Sequence, residues 1–107
     1  MNPNITRTLL ILQVLVHFTA CTCSIEKDAR QLASIRHERT ELIVSMLKTT
    51  DSTTLSQYNQ ELQMVESRFT KIKNTYDKKY SNPSDKVMFD NAYSRALKEI
   101  NAKAMEK

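Results

Sequence analysis

The chain has 107 residues, 26% of them charged and 40% apolar, with a formal net charge of +4. That length allows one small domain of modest stability, and a mild charge that alternates in sign lacks the basic stripe of a dedicated nucleic-acid surface. Glycine and tryptophan are both absent, which excludes glycine-rich phosphate loops and dinucleotide fingerprints and deprives tight hairpin turns of their usual residue.

The first residues have the layout of an export signal. Arg7 and the free amine form a short positive start, Thr8 to Ala20 is uncharged and mostly apolar, and small residues precede Cys21. The spacing assigns residues 1–20 to a signal peptide, 21–24 to a tether and 25–107 to a single helical domain. The string Phe18-Thr19-Ala20-Cys21 resembles a bacterial lipobox, with Phe18 where the box usually has Leu. The resemblance covers residues 1–21 alone. It implies cleavage before Cys21, a diacylglyceryl lipid on that cysteine, and an exported protein anchored to an inner or outer membrane. Two alternatives stay open. One is an ordinary secretory signal cut near Ala20 or Ser24. The other is an uncleaved anchor, since uncharged Thr8 to Ile25 approaches the lower limit of a membrane span, although Gln13 and His17 interrupt its apolar core. Cys21 and Cys23 stand too close in sequence for good mutual disulfide geometry, and a lone C-x-C lacks the further ligands that zinc needs.

Three amphipathic helices follow, at about 25–48, 54–80 and 83–104. Ser24 is placed to cap the first, with Asp28 favouring its start through the helix dipole. Ile25, Ala29, Leu32, Ile35, Leu42, Ile43, Met46 and Leu47 recur at three- and four-residue intervals. Arg39 falls near this seam, where its aliphatic stem can cross with the charge in water. Thr49 to Thr53 is the first break, with Asp51, Ser52 and Thr53 all candidate caps. The second helix has the clearest pattern: Leu55, Tyr58, Leu62, Val65, Phe69, Ile72 and Tyr76 alternate steps of three and four, a heptad seam. Tyr80 to Asp85 is the second break, where Asn82 caps and Pro83 takes the first helical position. Phe89, Ala92, Tyr93, Ala96, Leu97, Ile100 and Ala104 line the third helix.

Short connections favour antiparallel neighbours. The expected class is therefore all-α: a small three-helix bundle, or an extended helical hairpin plus a third helix. In the hairpin case Leu55, Leu62, Val65, Phe69 and Ile72 would be free to form a homodimer.

The inventory for chemistry is thin. His37 is the one histidine after the signal, and Glu41 lies one turn on; a single exposed pair lacks the shaped pocket that general acid–base work needs. No helical His/Glu repeat for a metal is present. No catalytic residue, metal or cofactor is assigned, and the protein is read as a non-enzyme. Tyrosines favour interfaces. Tyr80, just off the seam, is the expected exposed contact, with Lys78 and Lys79 beside it and Tyr58 further along. Together these readings predict a small membrane-tethered envelope lipoprotein that binds another protein, as accessory subunit, inhibitor or exclusion factor. A freely secreted helical effector and a self-associating spacer are the alternatives.

Overall fold

The computed structural model describes the backbone of residues 3–106 and the side chains of residues 23–106. The lipobox-like residues, Cys21 among them, lie outside the described side chains. The fold is an all-α three-helix bundle: α1 Pro3–Lys48, α2 Ser52–Lys79 and α3 Pro83–Met105.

Helix α1 is continuous through Ser24. The expected cap there is corrected: no proline or glycine interrupts the segment, so nothing ends the helix before the domain begins. Ser24 instead turns its hydroxyl to within 3.5 Å of the Tyr80 hydroxyl. Of the three candidate caps on α2, Asp51 serves. Its backbone is extended and its carboxylate accepts from the Thr54 N–H at 3.1 Å and from the Thr54 hydroxyl at 2.6 Å. Asn82 caps α3, accepting from the Ser84 N–H at 2.9 Å, with Pro83 opening the helix and Asp85 in its first turn.

Helices α1 and α2 run antiparallel. The Arg68–Glu38, Tyr76–Gln31 and Lys79–Asp28 contacts form a ladder in which one number falls as the other rises. The α2 seam faces α1, burying Val65 and Tyr76 and partly burying Phe69 and Ile72. Arg39 also reaches α2, 3.3 Å from Glu66, but both side chains are nearly half exposed. The Arg39 Nε is buried and makes no well-aligned hydrogen bond, so the pair is close in charge rather than hydrogen-bonded at that atom.

Helix α3 crosses α1 on small residues. Ala29 and Ala33 are wholly buried, as nearly are Ala92 and Ala96, and side chains of this size let two helix backbones approach closely. Tyr93 meets Arg36 on one flank of the crossing. Arg95 and Glu99 meet Glu26 and Arg30 on the other, at 3.5 Å and 2.7 Å. Among the described side chains, α3 therefore covers the part of α1 nearest Ser24. From Thr40 onward α1 has α2 alone as a neighbour, and burial falls: beyond Ile35 no α1 residue is buried, and before Val65 no α2 residue is.

Candidate functional site: an aromatic cleft between the helices

The main core cluster gathers where all three helices meet. Ile25, Ala29, Leu32, Tyr76, Tyr80, Phe89 and Ala92 are buried together. Phe89 stacks on Tyr80 at 5.2 Å between ring centroids and tilts against Tyr76 at 5.7 Å. Tyr93 lies nearly parallel to Phe89 at 6.5 Å. Such offset and tilted ring pairs add to plain area burial.

Helices α2 and α3 leave the turn between them and diverge, because α3 follows its crossing over α1. The gap is an open cleft of about 700 Å³, within the size range of ligand and anchor pockets. Its floor is aromatic and aliphatic: Leu32, Phe69, Tyr76, Tyr80, Phe89 and Tyr93. Its rim carries four cations, Arg36, Arg39, Lys73 and Lys86, against two carboxylates, Asp77 and Asp90. Lys73 is paired with Asp77 at 3.1 Å along α2. Arg36 donates to the Tyr93 hydroxyl at 3.1 Å, while its guanidinium carbon stands 6.0 Å from the ring centre; at that distance the hydrogen bond, not a cation–π contact, fixes its position.

Behind the cleft, a polar cluster fastens α2 to α1. Asp28 is mostly buried and accepts from Lys79 at 2.8 Å and from the Tyr80 hydroxyl at 2.6 Å. Lys79 also donates to Ser24 at 3.3 Å. Burial alone would push the Asp28 carboxyl up, but the hydrogen bonds from Lys79 and Tyr80 outweigh it and hold the group below the usual carboxylate range. Burial, followed by the Asp28 charge and hydrogen bonds, raises both Tyr76 and Tyr80. The hydrogen bonds to Asp28 and Tyr80 raise Lys79.

This arrangement corrects one expectation, the exposure of Tyr80. Tyr80 is not an exposed contact: it is 93% covered, because the last turn of α2 is wedged between α1 and α3. Lys79 is exposed but engaged with Asp28 and lies 5.3 Å from the Tyr80 ring centre. Lys78 is exposed and Tyr58 half-buried, and neither lines the cleft. The expected dimer seam is largely occupied within the fold, since Val65 is buried and Phe69 and Ile72 pack on the core. His37 and Glu41 do pair, at 2.9 Å, on α1 outside the cleft lining. Among the described residues no group of three metal-ligating side chains occurs, and no helix is long and apolar enough to cross a membrane. Cys23 is exposed and unpaired. It borders a smaller groove whose walls carry the Arg95–Glu26 and Arg30–Glu99 pairs.

In the sequence Phe89 and Tyr93 read as a core face and Arg36 as part of the polar centre of the first helix, while nothing singles out Lys86. The available signal was the interleaving of Phe89 and Tyr93 with Ala92 and Ala96: small residues on one side of α3 and rings on the adjacent side. Comparison with known protein families, with curated proteins and with solved structures finds no match.

Proposed function

We propose that this chain is a membrane-tethered binding module, exported and anchored through Cys21, whose protein-contact surface is the aromatic cleft. The observation that carries the contact surface is the combination in one opening of half-buried rings, Phe69 and Tyr93, with a rim on which cations outnumber carboxylates. An aromatic anchor point inside a polar rim is the composition of interface centres. The occupant that fits is a protein segment presenting an apolar side chain next to acidic groups. Binding rather than catalysis is supported by His37, which is paired with Glu41 one turn along α1 and is not among the residues that line the cleft. The tether rests on the lipobox-like string at residues 18–21.

Two measurements test the two halves. Intact mass of the natively expressed protein is expected to match a chain starting at Cys21 plus a diacylglyceryl group, and Cys21→Ser is expected to abolish that species. An unmodified chain starting near Cys21 or later makes it a freely secreted protein instead, and an intact 107-residue mass makes the N-terminal segment an uncleaved anchor. For the cleft, a photo-reactive amino acid at Lys86 in cells is expected to give a discrete adduct that Arg36→Glu removes. Equal labelling at Lys86 with and without Arg36→Glu would rule the cleft out as the contact surface.

A further inference from the structure

The stripe of α1 that seats α3 does not stop where α3 leaves it. Ala29, Ala33, Arg36, Thr40, Ile43 and Leu47 follow one another by steps of four, three, four, three and four, so they lie on one side of the helix. Ala29 and Ala33 are wholly covered, while Ile43 is 38% exposed and Leu47 82%. Val44 beside them and Leu55 on the facing end of α2 are also exposed. The two-helix tip is thus a bundle lacking its third wall, and its bare apolar residues fall on the side where that wall would stand.

The tip is also almost free of charge. Between Glu41 and Glu61 only Lys48 and Asp51 are charged, in a chain where 26% of residues are. These two are opposite in sign and flank the turn between α1 and α2. Hydrogen bonds from Thr54 hold the Asp51 carboxyl below its usual range, so it remains an anion at neutral pH. Elsewhere the chain carries a net positive charge, and two copies approaching through most surfaces would repel. At the tip they would not. A two-fold contact brings each patch against itself, matching apolar residues with apolar residues and offering the cation of each copy the anion of the other.

We infer that the α1–α2 tip is a self-association surface, occupied by the tip of a second copy through Ile43, Val44, Leu47 and Leu55, with Lys48 and Asp51 of the two copies in complementary positions. The surface is distinct from the aromatic cleft, and neither needs the other.

The test is sedimentation equilibrium of the full natively expressed protein in mild non-ionic detergent, from about 1 to 100 μM, a range suited to a small interface. The expected species is twice the chain mass, dissociating as concentration falls. Leu47→Glu is expected to weaken the association at least tenfold with the helical circular dichroism unchanged, because the side chain it replaces is already in solvent. Val87→Glu, at another exposed apolar position, on α3, is expected to leave the association intact. A protein monomeric throughout the range would overturn the inference, as would a dimer indifferent to Leu47→Glu or one broken equally by Val87→Glu. A change in photo-adduct formation at Lys86 bears only on the cleft.

Discussion

Asp28 holds the joint between α1 and α2. It is mostly buried, accepts from Lys79 and Tyr80, and sits beside the Tyr76–Gln31 hydrogen bond. Because its carboxyl titrates below the usual range when folded, folding favours its ionised form. That contribution is complete above about pH 4, the ordinary carboxylate value, and is lost as pH falls through the lowered one. Lys79, Tyr76 and Tyr80 are all raised, so their contribution is complete below about pH 10 and is lost as pH rises through the raised values. Urea midpoints are therefore expected to be flat between about pH 5 and 9 and to fall on both sides. Asp28→Asn is expected to cost about 1–3 kcal/mol near neutral pH, the scale of losing charged hydrogen bonds in a covered site, and to flatten the acid limb. A variant whose acid limb keeps the wild-type slope would assign the acid sensitivity to other carboxylates.

Helix ends and the α1–α3 crossing set the arrangement of elements. Asp51→Ala and Asn82→Ala each remove a side chain that satisfies a free backbone N–H, and each is expected to lower stability by about 1 kcal/mol in thermal melts. Ala33→Leu forces a larger side chain into the crossing, with an expected cost of about 1–3 kcal/mol. The same change at exposed Ser34 is expected to cost little. The α2–α3 boundary was legible in the sequence because Asn82 and Pro83 act locally, one through its own side chain and the other through its fixed φ. The start of α1 was not, because a signal-like segment and a domain helix share good helix formers with no breaker between them. The bundle itself followed from three apolar periodicities. Burial of Tyr80 and the opening of the cleft did not follow, since both depend on the course of α3 over Ala29 and Ala33, a tertiary fact that no single periodicity contains.

On the scale of the molecule, over residues 23–106, covered and uncovered regions separate along the long direction of α1. Three helices enclose the aromatic cluster near Ser24, and two helices alone form the tip near Lys48. Arg36→Glu at the cleft and Leu47→Glu at the tip lie three turns apart on α1, about 16 Å by helical rise, and share no partner. Their effects are expected to be independent. The double variant should lose both the Lys86 photo-adduct and the dimer, each to the extent seen in the single variants. Loss of dimer in Arg36→Glu alone would show that the two surfaces communicate.

The cluster around Asp28 also fixes a direction. It clamps α2 to the opening turns of the domain, so the α2–α3 turn and the chain's entry at Cys23 share one end, while Lys48 marks the other, about 36 Å further along α1. For a chain anchored at Cys21 with α1 upright on the membrane, this would make the domain a short stalk of set height. The cleft would stand within about 20 Å of the bilayer surface, and the tip would project beyond it. A target for the cleft would then have to expose its acidic segment close to the lipid headgroups, whereas the tips of neighbouring copies could meet clear of them. A soluble partner domain too bulky to approach the bilayer would be sterically refused, whatever its affinity for the isolated groove.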